Sequence, residues 1–282
     1  MRAGYSDTAR GDGSNPAPTR ILILHDGGPG PLTKALLRAA RSAGCKASTA
    51  GLASLLVLAC DGGLRVEGLG EPVQGLHAVV TSTPCPAESV GDAVVRALEG
   101  EGLATLNPGA ARSAARDPLT ALCSVAVPAP TALIGPEADL EALEEASLGP
   151  PFCCRPATPG AAPIACADGD GLTSVVECLS LTGDQVIVQR ACGPAGRVLV
   201  VDFQVPAFAS VAPAADRCAA STARDLGLAL CEVEVMQPVR GDPVVSMVDP
   251  DPDLRKVAAK HRGGLCAVLI EGAVHAVARA RR

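Results

Sequence analysis

The two stretches ARDLGLALCEVEV (residues 223–235) and VVSMVDPDPDL (residues 244–254) decide how this chain folds. The first ends a helix predicted over Ala215–Leu228 and opens a strand over Leu230–Met236. The second is its partner strand over Pro243–Asp249, reached through a turn at Pro238–Asp242. Paired strands continue backward from there. Gln185–Ala191 and Arg197–Val205 read as strands on either side of a turn at Cys192–Gly196, and Phe152–Arg155 and Pro163–Ala167 bracket a Pro/Gly-rich turn like the arms of a hairpin. Helices are expected over Glu137–Ser147, Gly171–Leu181 and from about Gly264 to the terminus, with Pro128–Ile134 extended. This half reads as α+β.

The first half has a different texture. Arg20–His25 is a buried strand, followed by a Gly27–Gly30 turn and an amphipathic helix over Leu32–Ala43. A hairpin around Gly62-Gly63 precedes a strand at Ala78–Thr81. A helix follows over Ser89–Gly100, with Val90, Val94 and Leu98 on one face. Gly102–Leu106 is a third strand candidate, and Ala110–Arg116 and Leu119–Ser124 are helical. Strands alternating with helices imply a parallel, layered α/β unit up to about Pro118.

Of 282 residues, 24 are Lys or Arg and 30 are Asp or Glu, a net charge of -6. That balance offers no basic field to a phosphate backbone. With Phe 3, Tyr 1 and Trp 0 there are almost no rings for bases to stack on, so nucleic acid is excluded as a partner. No apolar run, the longest being Leu52–Cys60, approaches the roughly 18 to 20 residues that span a bilayer, and no membrane partner is expected. Met1–Arg20 lacks an apolar h-region and reads as a floppy tail on a cytoplasmic protein. The 12 cysteines include no Cys-x-x-Cys pair and sit in apolar segments, so they read as reduced small hydrophobes. His25, His77, His261 and His275 offer no catalytic constellation, Ser82 and Ser246 lack a nucleophile elbow, and Gly27-Gly28-Pro29-Gly30 is only a weak dinucleotide turn.

The order of these elements resembles the ATP-grasp fold, and within it the RimK-like ligases, which attach glutamate or another amino acid to a carboxylate. The resemblance runs from Ile21 over nearly the whole chain. It rests on ILILH (21–25), HAVVTSTP (77–84) followed by GDAVVRALEGEGLATLNPGAARSAARD (91–117), PPFCCRP (150–156), DQVIVQRA (184–191), GRVLVVDF (196–203) and the two stretches quoted first. After the tail, a disordered segment over 1–19 by its composition, it implies an N-terminal parallel α/β pre-ATP-grasp domain over 20–118 and an ATP-grasp domain over 119–282. That domain would comprise two α+β lobes, a small one over about 125–190 and a large one over about 191–282.

The same resemblance implies a site for ATP and magnesium. The family sets a phosphate-reaching lysine at the end of a strand like Phe152-Cys153-Cys154; Arg155 stands there, keeping the charge and adding a bidentate fork. A second family lysine, after an Arg-Asp pair like Arg116-Asp117, is replaced by Pro118. The loop that closes over phosphates would be Thr158–Pro163, with one glycine between two prolines, and it reads as a plain hairpin connection. Backbone groups of Gln189, Arg190 and Ala191 would hold adenine. Arg197 matches a phosphate-facing arginine and carries the catalytic assignment, while the family aspartate two residues earlier is Ala195. The magnesium ligands fall on Glu234 and Asp249, with Met247 where the family keeps a bridging carboxylate; a hard cation rejects its thioether. Between Phe203 and Asp216 the family's acceptor motif of Asn, His and paired glycines is absent.

Two functions stay open at this level. One is an ADP-forming carboxylate–amine ligase with impaired catalysis, taking ATP and an amino-acid or carboxylate substrate, with a polyol kinase as a related ATP-grasp activity. The other is a non-catalytic module that binds or regulates a partner. Assembly into a homo-oligomer is compatible with either.

Overall fold

The computed structural model describes residues 17–61, 63–135, 140, 142–143, 148–157, 162–181, 185–191, 193–238 and 240–282. The tail up to residue 16, most of the acidic helix expected over Glu137–Ser147, and positions 158–161 of the expected phosphate loop lie outside the described residues.

The chain opens with β1 (Arg20–His25), α1 (Pro31–Ser42) and β2 (Lys46–Gly51), followed by a hairpin of β3 (Leu56–Cys60) and β4 (Gly63–Glu67) and by β5 (Ala78–Thr81). β1 runs between β2 and β5 in a parallel three-stranded sheet. Both faces of β1 are covered, so its apolar run divides by parity: Ile21 and Ile23 pack toward α1, Leu22 and Leu24 toward α2 (Val90–Gly100). Ser89 caps α2 by accepting the Asp92 backbone N–H at 3.1 Å. Val90, expected on the buried face with Val94 and Leu98, is instead 57% exposed; as the first residue of the helix it projects beyond the core. The strand expected over Gly102–Leu106 reduces to a single parallel bridge between Ala104 and Ala78.

Two short helices, α3 (Gly109–Arg116) and α4 (Pro118–Cys123), lead to the antiparallel sheets. β6 (Thr131–Ile134), β7 (Phe152–Pro156), β8 (Ile164–Cys166) and β9 (Val186–Arg190) form one sheet in the order β6-β9-β7-β8, backed by α5 (Gly169–Ser180). β10 (Ala195–Val201), β11 (Leu230–Met236) and β12 (Val244–Asp249) form the other, backed by α6 (Pro213–Leu226). β9 and β10, neighbours in sequence across the expected turn, therefore lie in different sheets. Gly193 makes that passage beside the Gln237 carbonyl, where any Cβ would sit 2.0 Å from the oxygen. β10 stops at Val201 rather than Val205, because Asp202 and Phe203 take left-handed conformations (φ 50° and 62°).

The terminal helix α7 (Arg262–Ala280) returns to the N-terminal unit. Leu265, Leu269, Ile270, Ala273 and Val277 share one core with β1, α1 and β5, and with Leu199, Val201 and Leu230 of the second antiparallel sheet. The segment Ala259–Ala280 is long and apolar enough to cross a membrane, contrary to the expectation that no segment is; here it is a core helix, with this buried stripe packed on protein.

A buried amide ties these parts together. Asn107 donates to the carbonyls of Leu230 and Pro250 and accepts the Leu230 N–H at 2.8 Å, linking the first half of the chain to the ends of β11 and β12. Replacing Asn107 with Ala deprives two carbonyls and one N–H of this buried partner. The variant is expected to lose about 1–3 kcal/mol in chemical denaturation.

Candidate functional site

The site lies where the two antiparallel sheets face each other. In β7, Phe152 and Cys154 point into the α5 core, which sends Cys153 and Arg155 to the opposite face. The register places Gln189 of β9 opposite both Cys153 and Thr131. On the facing sheet Arg197, Glu234 and Met247 stand abreast, and Glu232 and Asp249 are paired one step along. The other parity, Val198, Val200, Cys231 and Val233, is buried against α6. Alternation therefore dictates that one face of β10–β12 carries the charges.

Arg155 is 1% exposed and donates through Nη2 to Glu234 Oε1 at 2.5 Å; its Nη1 lies 3.6 Å from Met247 Sδ. Glu234 Oε1 also accepts the Ser246 hydroxyl at 2.8 Å, and Oε2 lies 3.5 Å from Arg197 Nε. Gln189 donates to the Ser246 carbonyl at 2.7 Å and to Thr131 Oγ1 at 3.0 Å. Arg197 also donates to Glu232 at 3.2 Å. Burial pushes the Glu234 carboxyl up, but the hydrogen bond and charge of Arg155, with help from Ser246 and Arg197, pull it below the usual glutamate range. Glu232 and Asp249 go the other way, raised first by burial.

All the residues expected from the β7, β10, β11 and β12 segments thus converge. Arg155, Arg197 and Glu234 are in one network, and Asp249 lines the same recess with Glu232 and Met247. Gln189 joins through its side chain, which is fully buried. Of the backbone groups expected to hold adenine, two N–H groups are engaged within the protein: Ala191 N–H donates to the Pro151 carbonyl at 2.8 Å and Arg190 N–H to the Pro130 carbonyl at 3.4 Å. Pro118 has a local role, since Asp117 caps α4 and accepts from Leu119 N–H at 3.0 Å with proline in its first turn. Asp251 and Asp253, which follow β12, are ion-paired to Arg116 and Arg255.

The donor set does not fit magnesium. Both Glu234 oxygens face arginines, Met247 separates Glu234 from Asp249, and the recess among these side chains measures about 10 Å³, no more than one water requires. Among the described residues no group of three His, Cys, Asp or Glu side chains is placed to hold a metal. A wider cleft of about 480 Å³ opens beside the recess, between Pro84, Pro86 and Arg116 on one side and Arg197, Glu232, Asp249 and Lys256 on the other.

No family model matches the chain. Among curated relatives, the probable alpha-L-glutamate ligase of Xanthomonas oryzae pv. oryzae (strain MAFF 311018) is 30% identical over 249 residues, covering 77% of this chain and 82% of the relative. The chain belongs to the RimK-like ATP-grasp family. A protein of the same name from Xanthomonas campestris pv. campestris (strain 8004) is 29% identical, covering 77% of this chain and 83% of its own length. Solved structures carry the same fold. A RimK domain ATP-grasp protein from Sphaerobacter thermophilus superposes with a TM-score of 0.64 at 21% identity, covering 91% of this chain and 100% of its own. The ATP-grasp ligase PsnB, complexed with minimal precursor, Mg and ADP, gives 0.65 at 17% identity, covering 92% and 98%.

Sequence reasoning missed Glu232, Ser246 and Thr131. Glu232 was within reach, since it sits two residues from Glu234 and so on the same strand face; Ser246 and Thr131 matter only through contacts between sheets. Truncating Glu234 to Ala leaves the Arg155 guanidinium buried without its counter-charge. Urea denaturation should show a loss of about 3–5 kcal/mol. Because Glu234 is held below its ordinary 4.5, its stabilising contribution is complete above that pH and is lost as pH falls through the lower folded value. The stability gap between wild type and Glu234→Ala should therefore narrow on acidification below 4.5.

Proposed function

We propose that this protein is a cytoplasmic RimK-like ATP-grasp ligase in which catalysis is impaired. The reaction class is ADP-forming: ATP phosphorylates a substrate carboxylate, an amine attacks the acylphosphate, and an amide forms as phosphate leaves. The curated relatives' name, probable alpha-L-glutamate ligase, supports glutamate as the amine.

Phosphoryl transfer is catalysed almost wholly by positioning and charge. The observation that carries the reading is the Arg155–Glu234 pair: the cation expected to meet phosphate is spent on the carboxylate expected to hold magnesium. Arg197, 41% exposed, and Lys256 line the 480 Å³ cleft and are the cations placed to meet a phosphate or carboxylate there. A non-catalytic module is the second reading. It is favoured by the Ala191 N–H, which is already bonded to the Pro151 carbonyl.

Calorimetric titration of Mg-ATP separates the two. Wild type should bind weakly. The double variant Arg155→Lys, Met247→Glu, which supplies a point charge and a further carboxylate beside Glu234 and Asp249, should bind roughly tenfold more tightly. Absence of heat in both proteins, with no ADP released in the presence of glutamate, would leave only the non-catalytic module.

A further inference from the structure

The hairpin of β3 and β4 has one face that the fold leaves uncovered. Among the described residues these strands pair only with each other, in a register that sets Leu56 beside Glu67, Val57 beside Val66, Leu58 beside Arg65 and Cys60 beside Gly63. Strand alternation gives the hairpin two faces. Val66 is buried and Val57 packs against the core that includes Val94, Val95 and Leu98 of α2, which makes theirs the inner face. Leu56, Leu58, Cys60, Arg65 and Glu67 therefore share the outer face, and all five are exposed.

Two observations separate this face from ordinary surface. Leu56 is 63% exposed and Leu58 43%, neighbours on one side of one strand. Apart from Leu64 near the tip of the same hairpin, the other exposed large hydrophobics among the described residues lie on separate elements. A hairpin that met only water on its outer side would carry polar residues there. Beside the leucines, β4 presents one cation and one anion, Arg65 and Glu67, and neither has an ion-pair partner among the described residues.

The pattern is complementary to itself. A two-fold axis between two such faces, crossing the strands at the level of Val57 and Val66, reverses strand direction and exchanges the residues on either side of that level. It sets Leu58 over Leu56 of the partner subunit and Arg65 over Glu67 of the partner subunit, and symmetry repeats both contacts. No like charges meet. A purely acidic or purely basic partner would satisfy one of the two charges and repel the other, whereas a second copy satisfies both. We propose that the outer face of the β3–β4 hairpin is a homodimer contact, on which a second copy of this chain stacks antiparallel, face to face. Five outward side chains from each copy fall far short of the roughly 20 to 30 residues a side of a standard interface, so the dimer is weak and reversible. Nothing in the contact depends on nucleotide or on catalysis.

Sedimentation equilibrium of the full chain, under reducing conditions that keep the exposed Cys60 from cross-linking, tests this. Wild type should show a monomer–dimer equilibrium with a dissociation constant of the order of 0.1 mM. Leu58→Asp should abolish it with unchanged circular dichroism. Arg65→Glu and Glu67→Arg should each weaken self-association about tenfold, because each sets like charges face to face. Mixed in equal amounts, these two variants should dimerise as wild type does, since one then presents only anions and the other only cations. A wild type that stays monomeric up to about 1 mM, or a dimer that Leu58→Asp leaves intact, overturns the interface. Charge variants that each dimerise like wild type, or a mixture no better than either alone, overturns the face-to-face arrangement.

Discussion

The buried ion pair between Arg155 and Glu234 is the constraint around which the site is arranged. Arginine cannot discharge itself at any working pH, so a guanidinium at 1% exposure demands a carboxylate within hydrogen-bond reach. That demand joins two sheets drawn from separate parts of the chain. The Gln189 amide, reaching from β9 to the Ser246 carbonyl of β12, makes the junction a network rather than a single contact.

The consequence is a site held together by its own side chains. Arg155 and Glu234 meet each other directly, and the Met247 thioether packs 3.6 Å from the same guanidinium. The same pairing leaves Arg197, Glu232 and Asp249 as the polar groups bordering the wider cleft. Below them, the apolar part of that sheet face, Leu199, Val201 and Leu230, merges with α7 and the parallel sheet. One face of β10–β12 thus serves as wall of the candidate site at one end and as core at the other.

Much of this was legible in residue order. β1, β5 and β11 fall on the expected residues, because continuous or alternating aliphatic runs bounded by turn formers have few other solutions. β2 went unseen: Lys46-Ala-Ser-Thr-Ala-Gly51 has little apolar content and becomes a strand only because the edge of β1 is open beside it. The candidate residues were legible one by one from their strand positions. Their partners were not, since the Arg155–Glu234 and Gln189–Ser246 contacts span 79 and 57 residues and depend on how two sheets are docked.

The scarcity of aromatics, the aliphatic strands and the order of segments determined by themselves a layered α/β unit followed by α+β lobes, because local periodicity and turn chemistry act over a few residues. The substitutions at Arg155, Pro118 and Met247 could also be read directly. What tertiary structure alone decided is what those residues do: Pro118 starts a capped helix, Met247 fills a recess, and Arg155 neutralises Glu234. The physical reason is that charge pairing and cavity volume are properties of surfaces brought together by folding, and no window of contiguous sequence contains both sides.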